Sequence, residues 1–226
     1  MSSILIGLTT LAAAGLTTAI AVRDHRLAHF RRLGLFDRCL DTCDGASISL
    51  DETGYPRLVA SHRGCELQAE LIPDTMTMRR LPQLWLSVTH MVAAPGRAEF
   101  ALLNRPSGND YFSMTNRFGV PLDIPLGMPH EILARGAGNL SQALLDRGAA
   151  PLGRIFADPR VKEIAVTDRG VRIIIQNAQG RYGEHLLLRQ AAFDNPVVAP
   201  DLLLTVVGHI DSLHSALREE MHEEAA

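Results

Sequence analysis

Polar positions disappear from the first part of the chain: residues 4–22 are 19 consecutive uncharged, mostly apolar residues. A helix rises about 1.5 Å per residue, so this run would span about 28 Å, close to the roughly 30 Å hydrocarbon core of a bilayer. Arg23, Arg26, Arg31 and Arg32 follow at once, and no Lys or Arg precedes the run. The positive-inside rule then predicts a transmembrane anchor over 1–22, with the N-terminus outside and the remainder in the cytoplasm, as in a single-pass inner-membrane protein. Two other readings fit the same residues. A signal peptide could be cleaved after Ala21 on the Ala19-Ile20-Ala21 pattern, although it would lack a basic start. An Ala- and Thr-rich helix could also lie buried in a soluble core. Thr9, Ala13, Thr17 and Ala21 recur every four residues and share a face that would admit a second membrane helix. With four Thr and five Ala in the run, small residues occupy most faces in any case.

Helical periodicity continues in Leu27, Phe30, Leu33, Phe36 and Leu40. Over 23–44 this predicts an amphipathic helix at the headgroup level, with Arg23, Arg26, Phe30, Arg31 and Arg32 facing lipid. The other reading is a connecting helix packed on the domain that follows, with Gly34 as its break.

From residue 45 onward the period shortens to two. Alternation predicts strands over 46–50, 57–61, 65–71, 84–92 and 99–103, with a tight turn at 61–64 and another at Pro95-Gly96. A short helical or irregular stretch is expected from Pro73-Asp74 to near Pro82. A Pro- and Gly-rich stretch, 104–129, contains Asn109, Asp110 and Tyr111, a loop whose polar groups could line a pocket. Residues 131–146 read as mainly helical. Strands follow at 161–167, 171–176 and 182–189, and a closing helix over 201–222 is buried on Leu203, Val206, Val207, Ile210, Leu213 and Leu217. The predicted fold class is α+β: one N-terminal transmembrane helix, then a domain over 45–226 of antiparallel strands and packed helices. Leu58 to Cys65 (LVASHRGC) echoes Ile164 to Val171 (IAVTDRGV) at an offset of 106 residues. Either two related halves, 45–130 and 131–226, or two independent hairpins with common turn chemistry would produce this.

Charge sharpens the picture. Beyond residue 38 there are 17 basic and 23 acidic side chains, an acidic balance that argues against nucleic acid, whose affinity comes largely from Lys and Arg on phosphate. Three cysteines, Cys39, Cys43 and Cys65, give no disulfide framework. Cys39 and Cys43 could share a helix face, but no second pair completes a zinc set.

A membrane-proximal helix, an Arg-Gly hairpin, and Phe156-Ala157-Asp158-Pro159 leading into Lys162-Glu163-Ile164-Ala165-Val166-Thr167 together resemble uncharacterised bacterial membrane-anchored proteins of unknown function. That resemblance covers most of the soluble part and implies no activity.

No nucleophile elbow, P-loop, dinucleotide fingerprint or zinc helix is present in the sequence. His62, Arg63 and Cys65 could pair a thiolate with a base, but side chains alternate across a strand, and turn residues beside a buried Cys explain them as well. His90 and Trp85 read as core, and Glu163, Arg169 and Arg172 as surface ion pairs. No catalytic set, cofactor or metal is expected. The expected function is a membrane-tethered, non-catalytic binding or assembly module on the cytoplasmic face. Its partners would be the lipid bilayer and a protein or second copy, met through the transmembrane helix or the α+β domain. The alternatives are a membrane-associated hydrolase or transferase with its site near 105–129, and an exported periplasmic binding protein.

Overall fold

The computed structural model describes residues 15, 17–19, 23, 32–51, 54–75, 81–92, 98–181 and 193–223. Among them the strands are β1 (Asp44–Leu50), β2 (Pro56–His62), β3 (Cys65–Asp74), β4 (Gln83–His90), β5 (Phe100–Asn104), β6 (Val120–Pro121), β7 (Ile132–Gly136), β8 (Val161–Thr167) and β9 (Gly170–Gln179). All lie in one antiparallel sheet, in the order β1-β2-β3-β4-β9-β8-β5-β7-β6. A 3-10 helix (Gly34–Thr42), the helices α1 (Leu140–Arg147), α2 (Ala149–Phe156) and α3 (Pro200–Glu223), and a single 3-10 turn (Met114–Arg117) complete the described fold.

Period-two alternation decides where the core sits. On β2 and β3, Leu58, Ala60, Leu67, Ala69 and Leu71 are buried while their neighbours are partly open. The same face continues through Leu84, Leu86 and Val88 of β4 and Ile173 and Ile175 of β9. The helices and the 3-10 helix bury their apolar stripes in this core, α3 through the six residues read from its sequence. Each such side chain contributes about 1.5–3 kcal/mol when fully buried, more than helix propensity supplies. The central strands β4, β5, β8 and β9 are buried on both faces, because residues 105–118 cover the side away from the helices. There Ala101, Ala165 and Phe118 form a small second cluster, with Met114 packed against it.

The structure corrects the predicted fold class at its first element. No helix among the described residues is long and apolar enough to cross a membrane. That overturns the transmembrane helix and, with it, the single-pass inner-membrane placement and the partner expected through such a helix. An apolar run is only half the condition for a span, since the backbone must also form one continuous helix of that length. Within 4–22 only residues 15 and 17–19 are described; the Thr9-to-Ala21 stripe otherwise lies outside them. The predicted strand over 182–189 and the Pro95-Gly96 turn also lie outside the described residues.

The reading of 23–44 as a headgroup helix meets its alternative over 34–42. Leu35, Phe36 and Cys39 are buried in the sheet's core, and the Leu35 carbonyl accepts from Val198 N at 2.8 Å. Arg32 lies 4.6 Å over the Tyr55 ring. Arg26, Phe30 and Arg31 lie outside the described residues, and Arg23 has no described contact. Residues 131–146 divide into β7 and α1, so the first half of the predicted helix is a strand. The two echoing hairpins turn differently. Arg63 and Gly64, with φ of 51° and 76°, form the first turn between the pair His62 and Cys65, whereas Asp168-Arg169 closes the second between Thr167 and Gly170.

Candidate functional site

Polar side chains are concentrated in two places, and the chemistry of each differs. The first is the underside of the 105–118 segment. A bulge shifts the β8–β9 register between Val161 and Glu163, and Lys162 sits at that shift. Its ammonium turns to the Asn104 and Arg105 carbonyls at 3.1 and 2.8 Å and to the Asp110 carboxylate at 3.0 Å. Asp110 also accepts from Ser107 N at 2.6 Å. Burial pushes the Asp110 carboxyl up, but the Ser107 and Lys162 donors outweigh it and hold it below the ordinary Asp value. Next to Lys162 on β8, Glu163 is wholly buried, pairs with Arg172 and accepts the Met114 amide with both oxygens, at 3.2 and 3.1 Å. Arg172 donates in turn to the Phe112 carbonyl at 3.1 Å.

These contacts fasten a long connection to the sheet. Of the three residues expected to line a pocket there, Asp110 is buried in the fastening, Asn109 is exposed, and Tyr111 is exposed with its hydroxyl donating to the Pro73 carbonyl at 3.0 Å. An open trough of about 640 Å³ lies nearby, but Arg105, Pro106, His130 and Glu131 line it rather than those three. Glu163 and Arg172, read as surface ion pairing, are its buried counterpart. The available signal was Lys162-Glu163 inside an apolar strand, Lys162 being the chain's one lysine.

The second place joins distant parts of the chain. The β2–β3 turn, the end of β4 and the latter half of α3 enclose a cavity of about 390 Å³. Gly64 suits the turn because its φ of 76° is costly for residues bearing a Cβ. That turn presents Arg63, with His62 and Cys65 as the closing pair. On α3, Asp211, His214 and Arg218 stand three and four residues apart, so one helix face carries all three to the cavity.

His62 Nε2 lies 2.9 Å from Asp211 Oδ2, and Arg63 reaches the same oxygen at 3.3 Å. His90 is buried; its Nε2 lies 3.1 Å from the His62 carbonyl, which can only accept, so this nitrogen carries the proton. The two imidazoles meet edge to face with centroids 5.3 Å apart. His214 Nε2 is buried without a hydrogen-bond partner. Burial lowers the His214 pKa first, followed by Arg218 and His90; Asp211 pulls it upward, and Arg63 adds a smaller downward pull. The cavity therefore carries an excess of positive potential.

The structure thus unites His62, Arg63, Cys65 and His90, which the sequence offered as turn and core residues. Asp211, His214 and Arg218 escaped sequence reading altogether. Their signal was the three- and four-residue spacing of Asp211, His214 and Arg218 along an amphipathic helix. Among the described residues no three His, Cys, Asp or Glu side chains converge as a metal set.

No protein-family model and no curated protein sequence matches the chain. Among solved structures, the mycobacterial trehalose monomycolate transport factor A, TtfA, is similar over 79% of this chain and 76% of its own, at 7% identity and a TM-score of 0.44. A likeness of that size carries no functional argument.

Proposed function

We propose that the chain is a non-catalytic binding module whose working surface is the cavity between the β2–β3 turn and α3. One observation carries this reading. Two of the cavity's polar groups are already engaged within the protein, Asp211 with His62 and His90 with the His62 carbonyl. The groups left facing the space, Arg218 and the His214 Nε2, are recognition groups. Specific pockets combine an apolar wall with a few convergent polar groups of this kind, and a volume near 390 Å³ lies toward the small end of the roughly 300–1,000 Å³ such sites occupy.

The test is a titration of the isotopically labelled full chain with a small-molecule library, followed by amide and imidazole resonances. Ligands should shift Arg63, Cys65, His90 and His214 together and be recovered chemically unchanged. Turnover of a ligand, or shifts confined to the trough beside Arg105 and His130, would refute the proposal.

A further inference from the structure

Resting on that reading of the cavity, we infer that its ligand is a small monocarboxylate: one carboxylate group on a short, partly apolar carrier. The fixed charges on the wall are Arg63 and Arg218 against Asp211, a net of one positive charge with the histidines neutral. One negative charge balances it. A second would be repelled by the Asp211 carboxylate on the same wall.

The donors match the same ligand. Arg63 shares Asp211 with His62, so its interaction is already divided. Arg218, exposed on α3, forms no ion pair with the described residues. A guanidinium presents paired N–H groups in a plane, the arrangement that meets a carboxylate in two parallel hydrogen bonds. His214 Nε2, buried and unpartnered, is a further donor for the same oxygens once the imidazole carries its proton there. The remaining wall is Cys65, Val92 and Ser215, of which the first two suit a short hydrocarbon carrier. The groups facing His214 are Asp211 and Arg218 from its own helix, His90 from β4 and Arg63 from the turn. A bound anion would offset the three that disfavour its protonation, so His214 should titrate at higher pH in the complex.

The experiment compares butyrate, succinate and inorganic phosphate as probes of the full chain by calorimetry and by imidazole resonances. Butyrate should bind, move the His214 resonances and raise its titration midpoint. Arg218→Gln should weaken butyrate about tenfold or more, as loss of a charge-assisted bidentate contact does, and Arg218→Lys should recover only part of that loss. Asp211→Asn should narrow the preference for butyrate over succinate and phosphate. Native thermal unfolding verifies that each variant is folded. Tighter binding of succinate or phosphate by the unaltered chain, or an Arg218→Gln affinity within about twofold of the original, overturns the inference. If cationic or neutral library ligands occupy the cavity and butyrate does not, the monocarboxylate inference fails while the binding reading stands. If nothing occupies it, both fall.

Discussion

Replacing Glu163 with alanine should be among the most damaging single changes in this domain, although no ligand contact is touched. The carboxylate is wholly buried, pairs with the largely buried Arg172 and accepts the Met114 amide. Its removal strands a buried guanidinium, at about 3–5 kcal/mol where one partner of a buried pair is deleted. The orphaned Met114 amide adds about 1–3 kcal/mol if water cannot reach it. Arg172 keeps its bond to the Phe112 carbonyl, which places the expected total near the lower bound, about 3–4 kcal/mol. A domain is stable by only about 5–15 kcal/mol, so this is a large share. Urea unfolding with an unchanged m-value measures it, and hydrogen exchange at Met114 should accelerate as residues 105–118 loosen. The double variant Glu163→Met, Arg172→Met should recover the part of the loss due to the stranded guanidinium, while the Met114 amide and the Phe112 carbonyl stay without their side-chain partners. A loss under about 1 kcal/mol for Glu163→Ala, or strictly additive losses in the cycle, would refute the argument that the pair acts as a unit.

Other perturbations have equally definite signs. A Cβ at Gly170 would lie 2.1 Å from the His90 carbonyl oxygen, so Gly170→Ala should destabilise by about 1–3 kcal/mol. At Gly208, in α3, a Cβ meets nothing within 4 Å, and Gly208→Ala should instead stabilise by about 0.5–1 kcal/mol; the two melting curves must move in opposite directions. His209 and His214 both have lowered pKa values, chiefly through burial. Their unfolded forms therefore take up protons first, and stability is fully present above the unfolded value of about 6.5 and falls as the pH drops below it. A His209→Gln, His214→Gln variant should flatten that limb of the melting-temperature profile; an unchanged slope would contradict the assignment. Burial pushes the Cys39 thiol up to about 11, so alkylation at mildly alkaline pH should reach half-buried Cys65 well before Cys39, read by mass spectrometry, with Cys39 reacting only as the chain unfolds.

The legible parts of the fold are those where one periodicity acts alone. The alternation on β2 and β3 and the six-residue stripe on α3 stand in the structure as they read in the sequence. Residues 132–136 were misleading because Leu and Ala favour helices, yet Ile132, Ala134 and Gly136 alternate inward on a strand. The α2 helix went unread because Pro151 and Gly153 look like breakers. Pro151 is harmless there, since it sits in the first turn, where its missing N–H has no intrahelical acceptor. The cavity was legible only in its hairpin third. His62 and Asp211 are 149 residues apart, and no local pattern joins them. The membrane expectation rested on hydropathy alone, and no helix among the described residues is long and apolar enough to cross a bilayer.

The order of the sheet carries a consequence for synthesis of the protein. Strands β4 and β5 follow one another in the chain, but β9 and β8 stand between them. Until residues 161–179 leave the ribosome, the nascent chain holds two partial sheets, each with an unprotected flank of unpaired amides and carbonyls. The late hairpin is the keystone that seals both flanks at once, so messages truncated upstream of Val161 should yield aggregating fragments rather than a smaller folded protein.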